Sequence, residues 1–236
     1  MLKKINILHV FLYLSFIFCV PTINAAPDKG EIAKKEKTAK IKKKSNKQQK
    51  SSNQQKTALA EPTVPKGHVE VVMLTNFGKI RLDLFKDKDP ETVNNFIEYV
   101  KAGYYNNSIF HRIVDGFLIQ GGGYDANFNE KIPINKPIKN NASNGFKNSF
   151  GTIAMARKQS DPNSATSQFL INLSNNSYLD HSNNEEGYTV FGKVISGMEI
   201  IQKIARIKIG QREGMYNVPF YPEEALIKEV SVIEPR

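Results

Sequence analysis

Arg112 and Gln120 are the two residues with chemical potential that sit where the sequence least favours them. They interrupt the apolar run Phe110-His111-Arg112-Ile113-Val114-Asp115-Gly116-Phe117-Leu118-Ile119-Gln120-Gly121-Gly122. Arginine is seldom buried without a partner. Two readings are open on this stretch alone. In the first, Arg112 pairs with a carboxylate at the rim of a β structure. In the second, one fixed cation, one amide and the Phe117 ring frame a semi-apolar groove, suited to a neutral ligand whose carbonyl must be held.

Other chemistries find less support. His9, His68, His111 and His181 lack a metal-ligand spacing such as H-x-x-x-H. No G-x-S-x-G elbow occurs. Gly121-Gly122-Gly123 is not followed by Gly-Lys-Ser/Thr, so it reads as close packing after a strand rather than as a phosphate loop. Cys19 is the only cysteine and lies in an N-terminal apolar run. Removal of that run would leave no disulfide and no thiol nucleophile.

The elements that must position Arg112 and Gln120 follow from pattern. Phe110–Val114 and Phe117–Gln120 are strand-like, and Asp115-Gly116 is a hairpin turn signal. Gly121–Gly123 is expected to end the second strand. Before this hairpin, Val69–Thr75 and Lys79–Phe85 form another, joined at Asn76-Phe77-Gly78. A helix follows, with Pro90 and Glu91 in its first turn, a Val93/Phe96/Ile97/Val100 stripe and Gly103 at its end. After a long loop over 124–148, strands are expected at 150–157, 167–173, 188–195 and 225–233. A helical turn is expected near Tyr178, a second helix at Met198–Ala205, and a loop through Gly210 and Gly214. Roughly eight strands joined by hairpins and loops favour a mainly β fold, a closed antiparallel barrel with two capping helices.

The N-terminus has a different character. Lys3 and Lys4 precede an apolar stretch over 5–20, then Pro21 and Asn24-Ala25-Ala26. This predicts a cleaved export signal over 1–26, the alternative being an uncleaved membrane tether. Residues 27–66 are rich in Lys, Gln, Ser and Asn and contain no aromatic residue. Such a composition buries too little apolar surface to offset chain entropy, so a disordered linker is expected. Segment 29–56 carries a net charge of +9, whereas 57–236 is neutral. The basic balance therefore belongs to the linker. Contact with anionic surfaces is its functional reading, and a solvated tether the plainer one; no specific nucleic-acid partner is expected.

Five blocks then occur in order: Phe110-His111-Arg112-Ile113 with Gly116-Phe117, Gln120-Gly121-Gly122, Gly151-Thr152-Ile153-Ala154-Met155-Ala156-Arg157, Ser167-Gln168-Phe169, and Val190-Phe191-Gly192-Lys193-Val194. Together they resemble the cyclophilin-type peptidyl-prolyl cis–trans isomerases, of the exported bacterial kind, over about 68–235. The resemblance implies an eight-stranded barrel with two helices over a domain at 67–236. It implies Arg112 as the catalytic residue. It implies a proline pocket of Phe117, Leu118, Leu170 and Leu179, with Gln120, Gln168, Ala156 and Arg157 holding substrate backbone. His111, Tyr178 and Tyr188 would line the groove.

No cofactor is implied, the partners would be proline-containing polypeptides, and a periplasmic or envelope location and a monomer are expected. Three positions depart from the commonest pattern. Leu170 replaces a second Phe, which implies a pocket of altered shape; Tyr188 replaces a His; and Tyr178 replaces a Trp, which implies weak cyclosporin binding. The rival reading is a proline-segment-binding chaperone with incidental catalysis; a third makes the Lys-rich segment the working part.

Overall fold

The computed structural model describes residues 64–233. The expected signal over 1–26 and nearly all of the expected linker over 27–66 lie outside the described residues.

Alternation of buried and exposed side chains drives the first strands. β1 (Val69–Thr75) buries Val71 and Met73, and β2 (Lys79–Leu84) buries Ile80, Leu82 and Leu84. The two pair antiparallel across the Asn76–Gly78 turn. α1 (Pro90–Lys101) begins where Asp89 caps it by accepting from the Thr92 amide at 3.2 Å, and Pro90 needs no amide partner at that position. Its Phe96 stacks on Tyr105 with centroids 5.0 Å apart and also meets Phe169 and Phe191.

β3 (Ser108–Val114) and β4 (Leu118–Asp125) make the central hairpin. β5 (Thr152–Met155), β6 (Phe169–Asn172), β7 (Val190–Ser196), α2 (Met198–Ala205), the hairpin β8 (Ile209–Arg212)/β9 (Met215–Pro219) and β10 (Leu226–Ile233) follow. Eight strands close an antiparallel barrel in the order β1-β10-β3-β4-β6-β5-β7-β2, with β8/β9 apart. Both helices contribute to the core that fills it: Phe96 from α1 and Ile201 and Ile204 from α2.

Two local expectations are corrected. The glycine run does not end β4, which continues to Asp125. Gly121 and Gly122 lie so close to the rings of Phe110, Tyr105 and Phe169 and to the Ser167 carbonyl that only glycine keeps the strand paired there. The stretch after α2 is a hairpin rather than a loop, its turn carried by Glu213 and Gly214 at positive φ.

Candidate active site

Register explains how the polar residues come together. Ile113, Ile119, Ile171 and Ile153 pair across β3, β4, β6 and β5, and all four belong to the barrel core. The adjacent row is Arg112, Gln120, Leu170 and Ala154. Because side chains alternate along a strand, this row faces outward. A register shift between Phe110 and Arg112 leaves His111 as an extra residue on β3, and such bulges re-aim side chains.

On that outer face lies a second apolar cluster of Phe85, Leu118, Ala154, Leu170, Leu179 and Val190, with Phe117, Phe146 and Tyr188 packed against it. Phe117 stands at the turn before β4. Gly116 permits the turn at φ +71°, and Asp115 accepts from its amide at 2.9 Å. The Arg112 Cζ is 5.9 Å from the Phe117 ring centroid, and the Tyr178 ring lies 5.5 Å on Phe117's other contact. Tyr178 is 65% exposed, whereas Leu118, Leu170 and Leu179 are buried. Leu170, smaller than the expected Phe, still completes the apolar surface.

Arg112 forms no ion pair among the described residues, so the rim salt bridge does not occur. Burial pulls its pKa down from the usual arginine value, and the hydroxyls of Tyr188 and Tyr178 act in the opposite direction. Gln120 donates from Nε2 to Gln168 Oε1 at 2.8 Å. Gln168 in turn accepts the Ala156 amide on its backbone carbonyl at 2.9 Å. Arg157 donates from Nε to the Gly187 carbonyl at 2.8 Å and stacks over the Tyr188 ring at 4.6 Å.

His111, like Leu118 and Leu170, is buried: it is 3% exposed and packs 4.7 Å from the Tyr124 ring. Burial, reinforced by the Arg112 charge, lowers its pKa to about 4, against weaker opposing effects from Ile109 and Gln168. Its Nδ1 has no hydrogen-bond partner among the described residues. The ring is therefore neutral at ordinary pH.

Sequence reasoning missed the amides that hold the apolar walls. Asn176 Nδ2 donates to the Phe117 carbonyl at 2.9 Å and to Asn172 Oδ1 at 2.7 Å. Asn172 donates to Asn148 Oδ1 at 3.2 Å, and Asn148 donates to the Leu179 carbonyl at 3.0 Å. All three asparagines are buried. This network joins the Phe117 turn to the Leu179 segment. Nothing in the local sequence distinguishes these asparagines from the many in nearby loops. A separate cleft of about 430 Å³ beside α1, lined by Glu91, Asn95, Glu98 and Lys136 among others, contains none of the site residues.

Comparison with known proteins agrees with this fold. Residues 70–230 match the family model described as cyclophilin type peptidyl-prolyl cis-trans isomerase/CLD. The chain is 46% identical over 163 residues to a peptidyl-prolyl cis-trans isomerase of Acinetobacter baylyi, covering 69% of this chain and 86% of that protein. It is likewise 46% identical over 168 residues to peptidyl-prolyl cis-trans isomerase B of Escherichia coli, covering 70% and 99%. A crystal structure of a Cryptosporidium parvum cyclophilin in the presence of the dipeptide Ala-Pro superposes with a TM-score of 0.58 at 26% identity, covering 70% of this chain and 99% of that one. An eight-stranded barrel carrying an unpaired arginine beside an outward apolar patch, matched over residues 70–230, thus belongs to the cyclophilin-type peptidyl-prolyl cis–trans isomerases.

Proposed function

We propose that this enzyme accelerates the folding of exported proteins by stabilising a twisted prolyl amide with Arg112 while an apolar pocket over Phe117 holds the proline ring. The observation that carries the reading is an unpaired, half-buried guanidinium 5.9 Å from that aromatic ring. A peptide bond resists rotation because nitrogen lone-pair density is shared into it, with a barrier of about 18–20 kcal/mol. Before proline the cis and trans forms differ by only about 0.5–1 kcal/mol, yet exchange takes tens to hundreds of seconds. A catalyst breaks no covalent bond. It must favour the twisted state, in which the nitrogen lone pair is localised.

A guanidinium can donate to that lone pair or to the neighbouring carbonyl oxygen. Its charge persists through any working pH. Partial burial strengthens the interaction where water is excluded. Each ~1.4 kcal/mol gained at the transition state is tenfold in rate, so a thousandfold effect needs about 4 kcal/mol. Gln120, tied to Gln168, and the backbone of Ala156 and Arg157 would hold the peptide on either side of the rotating bond. The departure at Tyr178, where a Trp is common, supports weak cyclosporin binding.

The export component rests on sequence alone: a basic and then apolar start, followed by small residues, before the barrel. The protein would act as a monomer in the periplasm or cell envelope.

The test is refolding of a protein limited by a trans-to-cis proline step. Arg112→Ala should slow the catalysed phase by about a hundredfold or more, the usual loss on removing one transition-state donor. It should leave the circular dichroism spectrum unchanged. Unchanged catalysis by the variant would remove Arg112 from its role.

A further inference from the structure

Arg157 is a second guanidinium on the same face, and it is held differently from Arg112. Nε donates to the Gly187 carbonyl at 2.8 Å, and Nη1 to the Lys158 carbonyl at 3.0 Å and the Gln159 carbonyl at 3.4 Å. The plane stacks on Tyr188 with Cζ 4.6 Å from the ring centroid. Nη2 makes no hydrogen bond, and no carboxylate pairs with the group among the described residues. Glu185 and Glu186, in the same loop, are exposed and do not reach it. Asp161, whose amide shares the Lys158 carbonyl, is exposed and makes no ion pair with the group, and Asp180 is engaged by Asn148 and Lys147.

Neutral carbonyls and an aromatic face fix the cation without cancelling its charge. The remaining Nη2, fixed in this way, can donate a charge-assisted hydrogen bond to a carboxylate. Tyr188 links this cation to the rest of the site. It packs against the cluster containing Leu118, Leu170 and Leu179. The backbone amide of Arg157 also makes no hydrogen bond among the described residues, so a peptide can run past it.

We infer that Arg157 makes this enzyme favour prolyl peptides carrying an acidic residue a short distance from the proline, by giving that carboxylate a prefixed Nη2 donor. The inference rests on the proline occupying the Phe117 pocket, as proposed above. An extended peptide advances about 3.3 Å per residue, so three positions on either side of the proline sample roughly 10 Å of the face in each direction.

The test uses short proline peptides in which Glu, Gln or Lys is placed in turn at each of the three positions on either side of the proline. Affinity is read by NMR titration and kcat/KM by exchange NMR. At one position Glu should exceed Gln by about fivefold in both readouts, with Lys below Gln, the size expected of a partly exposed ion pair. About 0.5 M salt should bring the ratio close to one in the wild-type protein, a measurement that needs no variant to fold. Arg157→Gln should abolish the preference, whereas Lys158→Gln should keep it. A ratio near one at every position, or a preference that survives Arg157→Gln or disappears in Lys158→Gln, would overturn the inference. Glutamate-selective binding with no turnover on any peptide would instead remove the isomerase reading and leave this one standing.

Discussion

At the level of single residues, the site depends on two side chains whose environments act in opposite senses. Phe117 is partly exposed, supported by Arg112 and Tyr178 on its ring and by Leu173 and Asn176 on its carbonyl. Phe117→Ala should raise KM for a prolyl peptide by about tenfold or more, since a fully engaged aromatic ring contributes roughly 1.5–3 kcal/mol. It should alter kcat less. A loss confined to kcat would contradict a pocket role.

His111 contributes through its burial. Its folded-state pKa of about 4 lies below the unfolded value of about 6.5. Between those values the unfolded chain binds a proton that the native state refuses, so stability must fall as pH drops. The contribution is full above about pH 6.5, declines below it and is lost near pH 4, about 3 kcal/mol in all. His111→Gln should therefore flatten the fall in urea-unfolding free energy between pH 7 and pH 4.5 relative to wild type. Equal pH dependence of the two proteins would show that another group is responsible. Arg112 was legible in the sequence as an anomaly, but its lack of a partner was not. Whether a cation is paired depends on carboxylates distant in the chain.

Elements that repeat a simple period were readable. The β1/β2 hairpin, α1 and α2 appear within a residue or two of their expected bounds, because alternation, a capping aspartate and a proline in the first turn act locally. The glycine run and the β8/β9 hairpin were misread, for opposite reasons. In β8/β9 the apolar pattern is thin, and Ile209 and Tyr216 are exposed. In the glycine run, close approach of other elements sets the requirement.

Gly122 sits at φ +81°, and an added Cβ would lie 2.7 Å from the Ser167 carbonyl oxygen and 2.9 Å from Tyr105. Gly116 has a similar φ of +71° with nothing near it. The pair separates backbone strain from crowding. Gly116→Ala should cost about 1 kcal/mol, the left-handed penalty alone. Gly122→Ala should cost that plus about 1–3 kcal/mol for overpacking, lowering the melting temperature by roughly 10 °C. Similar losses for both would mean that the backbone near Gly122 relaxes freely.

For the whole chain, the distribution of charge is the feature that the barrel does not explain. Residues 57–236 are neutral, while 29–56 hold a net +9. A neutral barrel has no long-range reason to approach a negative surface. Eleven lysines in one segment do, and each one near an anionic membrane contributes about 1 kcal/mol at moderate salt. Engagement of only three of them would raise surface affinity by roughly two orders of magnitude. Removal of 27–63 should therefore abolish co-sedimentation with phosphatidylserine vesicles at low ionic strength. Raising salt to about 0.5 M should do the same to the intact protein, because the screening length then shrinks to a few ångströms. Turnover of an uncharged prolyl peptide should stay within about twofold after the deletion, since every residue assigned to the site lies between 111 and 188. Vesicle binding that survives the deletion would move the surface contact onto the barrel. A deletion that instead slows peptide turnover would show that the segment reaches the face carrying Arg112.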